Sequence, residues 1–291
     1  MFAKFLNPRN DLAFKRVFGA EKNKDILIHF LNDIFGRTIN PIEEVTFLKP
    51  VQEPEIVSQR LSVVDLLCED LAGDRFIVEM QVNSEPGFEK RAQYYAARAY
   101  IEQREKGLKY ADLKSVTFLA ITDFNLFPND DRYLTHHVTL DKETHEHQLK
   151  DFSFSFLELP KFKRAKHQLK TITEKWAYFF KHAEDTTEAD LELIVGSDQI
   201  IRRAYAELSR FSWSEAELME YESVDMKRAA DQAILEGAEA KGRAEGRAEG
   251  EAKGRAEKLQ IANKLLAKGM TINDVADLMG MTVEELEAVA E

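Results

Sequence analysis

The clearest pattern of hydrophobic and polar positions runs from Arg60 to Asn83, RLSVVDLLCEDLAGDRFIVEMQVN. Leu61 to Leu67 is aliphatic and β-branched, Glu69 to Arg75 carries turn chemistry with Gly73-Asp74 at its tip, and Phe76 to Val82 alternates. This predicts a strand, a tight turn and a second strand. Because successive side chains on a strand point to opposite faces, Phe76, Val78, Met80 and Val82 share one face and Ile77, Glu79, Gln81 and Asn83 the other. On the first strand Val63, Asp65 and Leu67 share a face. An Asp among Val and Leu, and a Glu-x-Gln on a strand otherwise fit for a core, are local misfits of the kind that collect at functional sites. Carboxylates on adjacent strands can converge on a hard divalent cation such as Mg²⁺, with Gln81 able to orient a water or touch a phosphate. The alternative is a plain hairpin whose polar residues line a wet face.

Upstream, Leu12, Phe14, Val17 and Phe18 predict a short helix stopped by Gly19. Asp11 reads either as its cap or as an extra acidic site residue, and Lys15 as a solvated side chain or an accessory one. Asn23 to Phe35 predicts an amphipathic helix ending at Gly36, Val45 to Lys49 a strand closed by Pro50, and Gln52 to Gln59 a loop with Pro54. Downstream, Ser84 to Gly87 breaks the chain and Phe88 to Lys106 predicts a helix on which Arg91, Tyr95 and Arg98 share a face, either a plain solvated charged face or one fit to hold phosphate and to stack a base. Ser115 to Phe124 predicts a buried strand, and Tyr133 to Leu140 and Phe152 to Leu159 two more. Lys161 to Lys170, KFKRAKHQLK, reads as a solvated linker or a phosphate-contacting patch. His136, His137, His145 and His147 gather around one strand and its end, which opens a zinc reading only weakly. Thr173 to His182 and Ala189 to Phe211 predict helices forming an α-helical unit of their own.

Composition changes at Met226. Ala229 to Lys258 is almost wholly Ala, Glu, Lys, Arg and Gly, with Gly242, Gly246, Gly250 and Gly254 in a four-residue repeat. Glu239–Arg243, Glu249–Lys253 and Glu251–Arg255 are favourable helical pairs. Interior glycines together cost roughly 4 kcal/mol relative to Ala, a cost that close helix–helix approach would explain, so the segment reads either as a site of self-association into a homo-oligomer or as a semi-flexible helical spacer. Leu259 to Ala290 predicts three short helices, with stops at Gly269 and Gly280 and starts at Thr271 and Thr282, each followed by an acidic residue as in a capping box. The outline is that of a helix-turn-helix, but Asp274, Asp277, Glu284, Glu285 and Glu287 would be repelled by phosphates, so a packing or dimerisation unit is favoured.

The 291 residues carry a net charge of −12, which opposes a large sequence-independent hold on nucleic acid without excluding a local basic groove. Cys68 is the single cysteine, which rules out an intrachain disulfide and fits a reducing cytoplasm. No run of about 18 apolar residues predicts a membrane span, and the first residues lack the apolar core of a signal peptide.

Taken in order, NDLAFKRVFG, VVDLLCEDLAGDRFIVEMQV, KRAQYYAARAY, VTFLAITDF and FLELPKF resemble the Rpn family of recombination-promoting nucleases, transposase-like members of the PD-(D/E)xK nuclease superfamily. The resemblance covers residues 1–165 and implies an α/β, restriction-endonuclease-like core with a central mixed sheet flanked by helices. A helical region (166–225), a Gly-interrupted charged helix (226–258) and a small helical unit (259–291) would follow. It implies Mg²⁺-dependent, or other divalent-dependent, endonucleolytic hydrolysis of DNA, linked to recombination or mobile elements. Asp65 and Glu79 would be metal ligands together with the Met80 carbonyl, Gln81 would be the third catalytic residue, and Asp11 would match an N-terminal acidic position. Gln81 stands where the superfamily usually has Lys, and Val64 where Pro precedes the first Asp. The competing class is a DNA-binding or self-associating module without activity; a hydrolase for RNA or another phosphodiester is a third.

Overall fold

In the computed structural model the described residues are 3–49, 51–52, 62–103 and 109–290. The expected strand start at Arg60 and Leu61, the loop around Pro54 and the helix end at Lys106 lie outside them. Contacts divide the chain into two compact units, Met1–Met226 and Lys227–Glu291.

The first unit opens with helix α1 (Asp11–Phe18) and helix α2 (Lys24–Phe35), the latter closed by Gly36 in the left-handed conformation. Asn10, not Asp11, caps α1: its side chain accepts from the N–H groups of Leu12 and Ala13. Asp11 is the first helical residue and pairs with Lys15 at 2.9 Å. Strand β1 (Val45–Phe47) follows, then β2 (Val51–Gln52) and β3 (Ser62–Val63), which pair as a separate two-stranded sheet. Gln52, expected in a loop, is therefore in a strand.

The central hairpin is β4 (Leu66–Asp70) and β5 (Arg75–Gln81), turning through Gly73 with a positive φ. Relative to expectation the first strand shifts toward the turn, because the chain bends at Asp65 and what precedes it joins the other sheet. Helix α3 (Phe88–Ile101) crosses to β6 (Val116–Thr122); β7 (Leu134–Val138) and β8 (Phe152–Glu158) complete a mixed six-stranded sheet in the order β1-β4-β5-β6-β8-β7. β5, β6 and β8 run parallel, which obliges crossover connections.

β5 is buried on both faces, so the wet-face hairpin does not apply. Phe76, Val78 and Met80 join a core with α1 and α2, whereas Ile77 faces α3, whose Ala92, Ala96 and Ala99 let its backbone approach the sheet. The expected helix of Ala189 to Phe211 is two: α5 (Glu188–Val195) and α6 (Gln199–Glu207), separated at Gly196 with Asp198 capping the second. With α4 (Ile172–His182) they do not form a separate region: Trp176, Phe179, Phe180, Ile201 and Tyr205 share the core of Phe14, Phe18 and Phe30. Phe18 alone lies within 5.2 to 6.2 Å, ring to ring, of Phe14, Phe30, Trp176, Phe179 and Phe180.

Helix α7 (Glu215–Ala267) runs into the second unit, followed by α8 (Ile272–Met279) and α9 (Val283–Ala290). Glu239–Arg243 and Glu249–Lys253 pair as expected, but Glu251 pairs with Arg247 and Arg255 reaches Glu285. A Cβ on Gly242, Gly246, Gly250 or Gly254 would meet nothing within 4 Å. Leu259 onward begins inside α7, and the two starts at Thr271 and Thr282 are genuine caps. Ala262, Val275, Ala276 and Leu286 form this unit's small core. No described helix is long and apolar enough to cross a membrane.

Phe180→Ala should cost about 3–5 kcal/mol in urea unfolding, as for a buried aromatic in a shared core, whereas Phe211→Ala at an 88% exposed position should stay within about 0.5 kcal/mol. A small effect at Phe180 would mean that residues 166–225 do not share the sheet's core.

Candidate active site

The β4–β5 ladder stops at the pair Leu66–Val78; one step further, Asp65 would face Glu79. Because the chain bends at Asp65, the backbone groups there have no ladder partner, and buried amides need acceptors. The side chains provide them. Asp65 N–H donates to Glu79 Oε1 at 3.2 Å and Met80 N–H donates to Asp65 Oδ2 at 2.7 Å. Odd-numbered residues of β5 bond to β6, as in Arg75 N–H to Ser115 O and Asp123 N–H to Gln81 O. The backbone of Met80 therefore turns toward β4 and the gap that Asp65 occupies.

Gln81, on the same face as Glu79, donates through Nε2 to Glu79 Oε2 at 2.9 Å and accepts from Arg91 Nη2 at 2.7 Å. Arg91 is oriented by an ion pair with Glu85 and by the rings of Phe88 and Tyr95, 4.9 and 5.9 Å from its guanidinium carbon. Gly87, with a positive φ, starts α3 and sets this register. Glu85 is the residue that sequence reading missed: it precedes the helix, so no helical spacing links it to Arg91. Arg98, one turn beyond Tyr95, pairs with Glu102 at 3.3 Å. Asp11 and Lys15 reach the site from α1, whose entry is tied down by Asn10 Nδ2 donating to Tyr221 O at 3.2 Å and Asp225 Oδ1 at 3.0 Å. No sequence signal connects residues so far apart.

Glu79 is 3% exposed. Burial first, and then the charge of Asp65, raise its pKa to about 8. Asp65 is raised as well, by burial and then by the Asp11 charge, with Lys15 and Arg91 opposing. Burial raises the Tyr95 hydroxyl, with Arg91 opposing and Glu79, Glu85 and Asp65 adding to the rise. Among the described residues no three of His, Cys, Asp or Glu gather as a group that could hold a metal ion. The donor set is two carboxylates and strand-end backbone, all oxygen donors suited to a hard cation, and the repulsion between the carboxylates is what such a cation would relieve. Of the four histidines, two bond to hydroxyls: His136 Nδ1 to Ser155 Oγ at 2.8 Å, and His137 Nε2 to Thr135 Oγ1 at 3.1 Å.

A mixed sheet with helices on both faces, interrupted where two carboxylates meet beside a glutamine, defines a restriction-endonuclease-like α/β protein. The chain belongs to the PD-(D/E)XK nuclease family transposases, whose family model matches residues 8–238. No curated protein and no solved structure is significantly similar to it.

The raised carboxyls bind protons in the folded state at pH values where the unfolded chain has released them. Their contribution to stability without divalent cations should therefore be lost as pH rises from about 4 to about 8. Glu79→Gln removes the larger contribution, so its melting temperature should gain on the wild type as pH rises across that window. A constant difference would mean that Glu79 is ionised throughout.

Proposed function

We propose that the protein is a divalent-cation-dependent endonuclease acting on DNA, in keeping with the nuclease and transposase character of its family. The observation that carries this reading is the meeting of Asp65 and Glu79 in a buried gap of the sheet, each locked by the other strand's N–H. Asp65, Glu79 and the Met80 carbonyl would hold Mg²⁺ or another divalent cation. Such an ion, when bound, lowers the pKa of water and stabilises charge on a phosphoryl oxygen.

The chain's own residues do the rest. Glu79 is held at both oxygens, one by Asp65 N–H and one by the Gln81 amide, so its orientation is set before substrate arrives. Gln81 positions the attacking water but carries no charge. Arg91, bonded to the Gln81 oxygen, brings the positive charge that a lysine would have supplied. Tyr95 and Arg98 continue this face of α3 toward the DNA backbone, and Asp11 and Lys15 adjust the charge around Asp65. Attack of water on phosphorus forms one P–O bond and breaks another, leaving a phosphate on one end of the nick and a hydroxyl on the other.

The test is nicking of supercoiled plasmid with Mg²⁺, Mn²⁺, Ca²⁺ or EDTA. Asp65→Ala and Glu79→Ala should each lose on the order of 10²–10³-fold in rate, and Arg91→Ala on the order of 10-fold, with Gln81→Lys retaining activity. In parallel, divalent cations should raise the melting temperature of the wild type and not of Asp65→Ala. Unchanged metal-dependent nicking by folded Asp65→Ala would refute the assignment, and no nicking in any metal would favour a non-catalytic DNA-binding module.

A further inference from the structure

On a chain of net charge −12, the segment KFKRAKHQLK holds five Lys and Arg and no acid. It is not the extended solvated linker that its composition suggests. Two short 3₁₀ turns fold it, Leu159–Lys161 against α4 and Lys166–Gln168 against α5. Lys161 lies inside, paired with buried Glu158 and donating to Phe127 O at 2.8 Å. The rest of the segment and α4 enclose an open groove of about 580 Å³, lined by Phe162, Lys163, Arg164, Lys166, Tyr178, Lys181 and His182 among others, with no acidic side chain in its lining.

The positive charge of the groove is only partly balanced. Arg164 pairs with Glu174 and Lys166 with Asp190. Lys163 is exposed and has no ion-pair partner among the described residues. Lys181 is anchored by donating to Phe162 O at 2.6 Å. Its pKa is lowered first by burial and then by the charges of Lys163 and Arg9, with Asp123 opposing. His182, its ring 4.7 Å from that of Tyr178 and tilted 39° to it, is lowered by burial and then by Lys181 and Arg9, with Asp185 opposing. Basic side chains gathered around a groove whose lining has no acid form a site for an anion.

Arg9 and Asp123, whose charges act on Lys181, link the groove to the strand ends of the carboxylate site. Arg9 pairs with Asp123 at 2.7 Å, and Asp123 N–H donates to Gln81 O at 2.9 Å. Two residues after Arg9 the chain reaches Asp11, whose charge acts on Asp65. We propose that this groove binds the phosphodiester backbone of duplex DNA beside the Asp65–Glu79 site, with Lys163 and Lys181 as phosphate contacts and Arg9 between the groove and the strand ends. Contacts of this type position the duplex without reading its sequence. Naming DNA as the ligand rests on the nuclease reading; the anion-binding character of the groove does not.

The experiment is fluorescence anisotropy with a short labelled duplex, using the full chain in an Asp65→Ala background with EDTA, so that binding is scored without cleavage. Lys163→Glu should weaken binding about tenfold at low salt and lower the slope of log K against log salt by about one or more. Lys163→Arg should bind as the parent does, and the same charge reversal at exposed Lys142 should change affinity less than about threefold. Equal melting temperatures would confirm that the variants are folded. Affinity unchanged by Lys163→Glu overturns the proposal, as does an equal loss at Lys142. Tighter binding of a double-stranded RNA of the same sequence, lost in the same variant, would overturn the choice of DNA. Because cleavage is never measured, an inactive enzyme would leave this result standing, and an active one would not rescue it.

Discussion

The arrangement depends on one exchange of hydrogen bonds. Where β4 gives out, Asp65 and Glu79 each accept the backbone N–H that the ladder no longer serves. Burying a carboxylate is costly unless its oxygens are bonded, and leaving strand N–H groups unpaired in the interior is costly too. The two costs offset each other at one place, and the result is a pair of acids held in the middle of a hydrophobic sheet. Burial raises the pKa of both groups, and at Glu79 the charge of Asp65 adds to the rise.

Two helices complete the surroundings of that pair for separate packing reasons. The small residues of α3 let it lie close on the sheet, so that Arg91 reaches Gln81 while Glu85 holds its other side. On the opposite face, the aromatic cluster around Phe18 and Trp176 seats α1, and Asn10 ties its first turn to Tyr221 and Asp225. The helices following the sheet are thus part of what positions Asp11 and Lys15.

Charge is distributed unevenly along this acidic chain. The segment after β8 is basic, and the turns that fold it bury one lysine against Glu158 while leaving Lys163 in solvent. In the second unit, opposite charges instead alternate along α7 as exposed helical pairs, each worth a few tenths of a kcal/mol at most. A net charge therefore describes the whole molecule poorly.

Local pattern decided a good deal. Alternation located β5 and β8, helical periodicity located α2 and α3, glycine and threonine set the starts and stops of α8, and the misfit of Asp65, Glu79 and Gln81 within strand-like stretches singled out residues that the fold brings together. These features are legible because strand and helix periods, and the caps that end them, depend on neighbours along the chain. Tertiary structure decided the rest. That Asp65 sits at a bend, that Asn10 rather than Asp11 is the cap, that Glu85 steadies Arg91, and that α4 to α6 share the sheet's core all follow from partners distant in sequence or from competition for the same backbone groups. The sequence by itself determined which residues are out of place in their elements; only packing decided which of them meet, because convergence depends on where burial and hydrogen-bond satisfaction bring remote segments together.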